Sequence, residues 1–201
     1  MRTKYKPWAK PYFEEHQEIS LPLNELDKLK DIYLEIGAGK GQFITDMSKR
    51  HPERFFLAVE KNITCVGFTA KKIVEEEISN VKLLAIDGDI VLNELKEGSV
   101  KVLYLNFSDP WPKKKHVKRR LTHPSFLEKY YRVLASDGEI RFKTDDDELY
   151  LYSKEMFEND KFHIITDDED YVLADDDVMT EYEDKKRKAG LKIHRLIIRK
   201  C

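Results

Sequence analysis

Cysteine and glycine are scarce in this chain, with two of the former, Cys65 and Cys201, and eight of the latter in 201 residues. Two distant cysteines fit neither a disulfide framework nor a zinc spacing, which excludes a cystine-stapled or zinc-ribbon fold and leads us to expect a reducing, cytoplasmic setting. No apolar run is long enough to cross a bilayer. The opening MRTKYKPWAKPYF has no apolar core of the kind a signal peptide carries. An excess of charge of one sign is also missing. Charged residues make up 37% of the chain, but 36 Lys and Arg face 38 Asp and Glu, for a net charge of −2. Bulk charge therefore names no partner, whereas its distribution does. Residues 113–120 carry six basic side chains and no acid, and Asp145–Glu148, Asp167–Asp170 and Asp175–Asp177 are wholly acidic.

Apolar runs of strand length alternate with longer amphipathic stretches. Strands are expected at Ile32–Ile36, Phe55–Val59, Val81–Ile86, Val100–Phe107, Glu139–Lys143, Phe162–Thr166 and Leu191–Arg199, and helices over 41–50, 62–78, 123–135 and 148–158. Such alternation means a doubly wound α/β sheet in one domain. Residues 1–20 are basic, aromatic and proline-containing, match no core pattern, and read as an arm preceding a domain at 21–201. Two long connections, 107–122 and 167–190, are where function is expected.

The first strand turns into the first helix through Leu34-Glu35-Ile36-Gly37-Ala38-Gly39-Lys40-Gly41. Gly37, Gly39 and Gly41 let a ligand approach the backbone. The third glycine comes one residue too early for a dinucleotide fingerprint, and Gln42 takes its place. Glu35 beside the turn would repel a pyrophosphate but suits a cationic cofactor such as S-adenosylmethionine. Glu60, ending the second strand, can accept both ribose hydroxyls, and Asp87, ending the third, lies where an adenine edge would sit. The fourth strand ends in Leu105-Asn106-Phe107-Ser108-Asp109-Pro110-Trp111-Pro112, a proline-stiffened loop aimed at the carboxyl end of the sheet. The basic run Lys113-Lys114-Lys115-His116-Val117-Lys118-Arg119-Arg120 follows directly.

At this point the sequence resembles the bacterial single-subunit tRNA (guanine-N7)-methyltransferase family. The resemblance rests on Arg2 with Lys6-Pro7-Trp8, the segment Glu35–Gly41, Asn106 to Leu121, Lys143-Thr144-Asp145 and Thr180-Glu181-Tyr182-Glu183. It implies a Rossmann-like S-adenosylmethionine-dependent methyltransferase fold with a mostly parallel seven-stranded sheet and an antiparallel last strand. It implies cofactor-binding roles for Glu35, Glu60, Asp87 and Asp109, with Asp109 also catalytic. It places Lys113, Asp145, Thr180, Glu181, Tyr182 and Glu183 at substrate-binding positions. It makes Lys114, Lys115, His116, Lys118, Arg119 and Arg120 the segment that contacts tRNA. The expected target is the variable-loop guanosine at tRNA position 46. Asp146 and Lys115 stand where Asn and Arg are common in the family.

The chemistry suits these residue types. Guanine N7 already carries a free lone pair, so positioning can supply most of the catalysis. Asp109 then reads as a clamp on the guanine N1–H and N2–H₂ donors rather than as a base. Taken by themselves, Asp145 equally suits a helix cap, Thr180 a cap or turn, Glu183 a solvated acid and Trp111 either base stacking or packing. The acidic clusters read as solvated loops, since the reaction needs no metal. Monomer and homodimer both remain open. The rival functions are a methyltransferase acting on another RNA or a small molecule, and a non-catalytic RNA-binding module. Glu35 and Gln42 disfavour a nicotinamide-linked oxidoreductase.

Overall fold

The computed structural model describes residues 3–201; Arg2, in the first matching stretch, lies outside the described residues. Seven strands form one sheet: β1 (Ile32–Ile36), β2 (Phe55–Val59), β3 (Val81–Leu84), β4 (Val100–Asn106), β5 (Leu134–Thr144), β6 (Phe162–Asp168) and β7 (His194–Lys200). Their order is β3-β2-β1-β4-β5-β7-β6. The β1, β2, β3, β4 and β5 pairings are parallel, and β7 runs antiparallel to both β5 and β6. Strand order reverses between β1 and β4, which opens a crevice at their carboxyl ends.

Both faces of the sheet are covered, which is why the parallel strands are almost continuously apolar. The period-2 alternation divides them between two cores. Ile32, Leu34 and Ile36 of β1 pack with α4 (Gly88–Glu94), α5 (Pro124–Val133) and α6 (Asp147–Phe157) through Val91, Leu92, Leu127, Tyr130, Leu149 and Phe157. Tyr33 faces the other way, among residues of α1 (Ala9–Glu15), α2 (Gln42–Arg50) and α3 (Ile63–Glu75), including Phe13, Phe43, Ile44, Val66 and Ile73. Side-chain caps start five helices: Asn62 accepts from the Thr64 and Cys65 amides, Asp87 from Asp89, His123 from Ser125, Asp146 from Leu149, and Thr180 from Glu183 at the head of α7 (Glu181–Lys188).

Four features differ from the sequence expectation. Residues 9–19 are not outside the core pattern: Ala9, Phe13 and Ile19 are buried, and α1 lies on α3. A Cβ on Gly67 would stand 2.3 Å from that of Ala9, so the close approach of these helices requires glycine there. β5 begins at Leu134, immediately after α5, because pairing with Val100 resumes beyond a bulge in the β4 register. The last strand starts at His194 rather than Leu191, because Leu191 and Lys192 are exposed and unpaired with the sheet. Helices α4 and α7 interrupt segments that periodicity leaves blank. In α7, EYEDKKRK, the one buried residue is a glutamate, so no apolar stripe announces the helix.

Candidate active site

Gly37, Gly39 and Gly41 have φ of +84°, +56° and +79°, in the left-handed region that side chains avoid. At Gly37 and Gly39 the space a Cβ would occupy is open, whereas at Gly41 it would meet Thr69 Cγ2 at 2.6 Å. The first two glycines therefore leave an accessible cradle, and the third lets α2 pack on α3. Glu35, on β1, is 2% exposed. Asn106 at the end of β4 donates from Nδ2 to Glu35 Oε1 at 3.0 Å. Burial pushes the Glu35 carboxyl up to about 8, against the opposing effects of the Asn106 bond and the Lys143 charge. Glu35 Oε2, Asn106 Oδ1 and Ser108 Oγ are buried without a partner. Buried polar atoms left unpaired are costly, so this arrangement fits a ligand that supplies hydrogen-bonding groups.

Glu60 lies just past β2 and accepts from the Gly39 amide (2.9 Å) and the Asn62 amide (2.7 Å). Burial holds its carboxyl above the usual range, while these backbone bonds oppose the shift. A carboxylate offers about four acceptor sites, so these two bonds leave room for hydroxyl donors. Asp87 is exposed, caps α4, and pairs with Lys61 at 3.2 Å. The Asp89 amide is the main cause holding it below the ordinary aspartate value.

The loop after β4 is strained and braced. Phe107 (φ 51°) and Trp111 (φ 44°) occupy backbone conformations costly for bulky residues. The Phe107 amide donates to Lys143 O (2.8 Å), and Arg120 donates from Nε to Pro110 O (2.8 Å) and from Nη2 to Glu148 Oε1 (2.5 Å). Asp109 stands exposed between these braces. Lys114, Lys115, Lys118 and Arg119 lie exposed on a 3₁₀ turn, Lys114–Arg119, preceded by exposed Lys113. Half-buried Trp111 is covered by the Arg119 guanidinium (4.9 Å) and by the edge of the His116 ring (5.6 Å). Arg120 is the exception in the run: its side chain is 3% exposed and holds the loop from inside, so it has no free face for a phosphate.

The opposite wall is α7. Lys143 of β5 donates to Glu183 Oε2 (2.9 Å), Asp177 Oδ2 (3.1 Å) and Val178 O (3.3 Å). Glu183 is fully buried and takes two bonds from Arg187 on its other oxygen, so it is not a solvated acid. Asp145 pairs with Lys186 at 2.7 Å, and the α6 cap falls on Asp146 instead. Glu181 pairs with Lys40 of the glycine turn at 3.0 Å, and the Tyr182 ring lies 5.2 Å from that of Phe107. Three of the six aspartates of 167–177 are engaged as well, Asp167 by Tyr150 and Lys154, Asp168 by Arg195, and Asp177 by Lys143 and Tyr171, while Asp170, Asp175 and Asp176 are exposed.

A family described as "Putative methyltransferase" matches residues 30–196. The tRNA (guanine-N(7)-)-methyltransferase of Macrococcus caseolyticus is 39% identical over 98% of each chain. That of Lactobacillus delbrueckii subsp. bulgaricus is 41% identical over 96% of each, and that of Staphylococcus haemolyticus 40% over 98% of this chain and 96% of the other. The chain belongs to the tRNA (guanine-N7)-methyltransferase family. Solved structures share the fold at much lower identity. An rRNA methylase from Streptococcus thermophilus superposes with a TM-score of 0.57 at 12% identity, covering 99% of each chain. A protein from Streptococcus mutans described as "a putative methyltransferase", in complex with SAH, gives 0.56 at 13%, covering 99% of this chain and 100% of the other.

For a member of this family, the sheet end brings together Glu35, the glycine turn, Glu60 and the Asp109 loop, with Asp145 and the head of α7 across from them. Thr180 enters as the cap of α7. Sequence reasoning assigns no separate role to Asn106, Lys143, Lys40 or Lys186. Asn106 and Lys143 carried a signal, since each is polar at the end of an apolar strand; the pairings of Lys40 and Lys186 span 141 and 41 residues and leave no local trace.

Proposed function

We propose that the chain transfers the methyl group of S-adenosylmethionine to N7 of guanosine in tRNA, at variable-loop position 46, leaving 7-methylguanosine. The observation that carries this reading is one sheet end holding both the cradle of unpaired acceptors around Glu35 and the exposed cations of 113–119. Neither rival uses both. A small-molecule methyltransferase leaves the basic turn idle, and a bare RNA-binding module leaves a buried, half-satisfied carboxylate without purpose.

When bound, S-adenosylmethionine supplies an electrophilic methyl on a cationic sulfur. Glu35 and Asn106 would hold its charged end, the backbone of Gly37–Gly41 would let it approach, Glu60 would accept from the ribose hydroxyls, and Asp87 would meet the adenine. Asp109 would accept from guanine N1–H and N2–H₂, a donor pair that the other bases do not present. That bond fixes the base and stabilises the positive charge that grows on the ring as the N7 lone pair becomes a bond to carbon. No proton is removed, so Asp109 acts as a clamp. Asp145, Tyr182 and Glu181 would form the far wall of the base pocket. Lys113, Lys114, Lys115, His116, Lys118 and Arg119 would hold phosphates of the folded RNA.

The test is label transfer from methyl-labelled S-adenosylmethionine into an unmodified tRNA transcript, beside a transcript whose variable-loop guanosine is adenosine. Label in the first and none in the second supports the assignment; equal label in both removes position 46, and label in neither removes tRNA as substrate.

A further inference from the structure

Lys143 is a charged side chain sealed inside the protein, about 3% exposed, and it touches neither the glycine turn nor the Asp109 side chain. Its ammonium has three acceptors, which saturate its three N–H groups. The faces of Phe43 and Tyr171 lie 5.2 and 5.8 Å from it. Both oxygens of each carboxylate have partners. Glu183 Oε1 takes Arg187, while Asp177 accepts from the Tyr171 hydroxyl on Oδ2 and from the Val178 amide on Oδ1. None of these side-chain atoms is orphaned, in contrast to Glu35 and Asn106. A satisfied buried network is a brace, and a half-satisfied one waits for a ligand.

The place of this brace gives it meaning. Lys143 pairs with Asn106 across β4 and β5, and Asn106 reaches Glu35 on β1. Directly paired residues, and residues two apart on a strand, point to the same face of a sheet; Glu35 pairs with Tyr104, two residues before Asn106, so Glu35, Asn106 and Lys143 lie on one face. From the end of that row Lys143 grips Asp177, Val178 and Glu183, which bracket Thr180–Tyr182 on both sides. Glu183 is buried and neither of its carboxylate oxygens lacks a partner.

We propose that Lys143 is a positioning residue for tRNA methylation, acting through Glu183 and Asp177 to lock the head of α7 onto the cofactor-facing row of the sheet, and that Glu183 is the strut of this lock rather than a substrate contact. The inference rests on the reading given under Proposed function. Its consequence is that tRNA engagement and cofactor affinity separate. Loosening the lock displaces Glu181 and Tyr182 from the base pocket while leaving the glycine cradle and Glu60 in place.

The experiment compares wild type, Glu183→Gln, Lys143→Met and the double variant, each first checked for a cooperative thermal transition. Cofactor Kd is measured by calorimetry, tRNA Kd by filter binding, and KM and kcat by label transfer. Glu183→Gln is expected to raise the tRNA KM about tenfold and leave the cofactor Kd within twofold at pH 7. The double variant is expected to match Lys143→Met in tRNA KM, because both changes remove one bond. Lys143→Met is also expected to move the pH dependence of cofactor binding to higher pH, since the row loses its cation next to Glu35. An unchanged tRNA KM in Glu183→Gln, multiplicative defects in the double variant, or equal loss of cofactor and tRNA affinity would each overturn the proposal. Should Lys143→Met fail to fold, the split between tRNA and cofactor in Glu183→Gln still decides. Wild-type protein that binds tRNA but transfers no methyl would instead count against the proposed function, with the Glu183→Gln effect on tRNA Kd still readable.

Discussion

Glu35 is a carboxyl held far from its ordinary chemistry. Its carboxyl is pushed up to about 8 by burial, so near pH 7 the ligand-free protein holds it mostly protonated. A cationic cofactor favours the carboxylate, so binding must release a proton between the usual glutamate range and pH 8. Cofactor affinity is therefore expected to rise with pH up to about 8, and calorimetry in buffers of different ionisation enthalpy should register the released proton. Glu35→Gln should show neither effect. The sign for stability is the reverse. An acid whose folded pKa is raised costs stability as pH climbs from its unfolded value to its folded one, and nothing further above that. Glu35→Gln should thus raise the melting temperature at pH 9 and do so less at pH 5. Asp109 contrasts with Glu35, being exposed in the loop after β4, just ahead of Pro110. Asp109→Ala should leave the thermal transition unchanged and cut kcat by about a hundredfold through lost positioning. Full activity in that variant would end the clamp assignment.

At the scale of elements, the loop 107–122 divides into a brace and a surface, and the two should respond differently. Arg120→Ala leaves the Pro110 carbonyl and a strained loop unsupported, which should cost about 1–3 kcal/mol of stability and lower kcat. Changing Lys114, Lys118 and Arg119 together to glutamine should leave stability within about 0.5 kcal/mol. It should weaken tRNA binding and reduce the slope of log affinity against log salt by about 2–3. Filter binding from low to moderate salt checks this; an unchanged slope would place the RNA contact elsewhere. The basic run itself is legible in the sequence, but its division is not. Whether Arg120 faces phosphate or carbonyl depends on where Pro110 and Trp111 fold back, which no local pattern records. Helix α7 is hidden for a similar reason: the residues that fix it are ionic, and periodicity responds only to apolar stripes. By contrast, the parallel strands and helices α2, α3, α5 and α6 show in the sequence because each buries a regular apolar face.

For the whole molecule, a net charge of −2 conceals a polar object: cations on the 113–119 turn, carboxylates inside the crevice, and ion pairs tying α7 to the sheet end. Under the proposed function, that arrangement would draw a polyanion to one rim and present acceptors to an entering base. The acids at the ends of β1 and β2 and just past β3, together with the loop after β4, show in the sequence because strand ends can be counted along the chain. The orientation of their oxygens depends on Asn106 and Lys143, which meet Glu35 only once β1, β4 and β5 lie side by side. The proposed function assigns methyl transfer to a guanine nitrogen in tRNA to this single sheet end. Its most direct test is to incubate the protein with S-adenosylmethionine and unmodified tRNA, digest the RNA to nucleosides, and separate them by mass spectrometry. A 7-methylguanosine peak that grows with time, and grows about a hundredfold more slowly with Asp109→Ala, is the predicted result. A methylated nucleoside other than 7-methylguanosine, or none at all from protein shown to bind both partners, would contradict it.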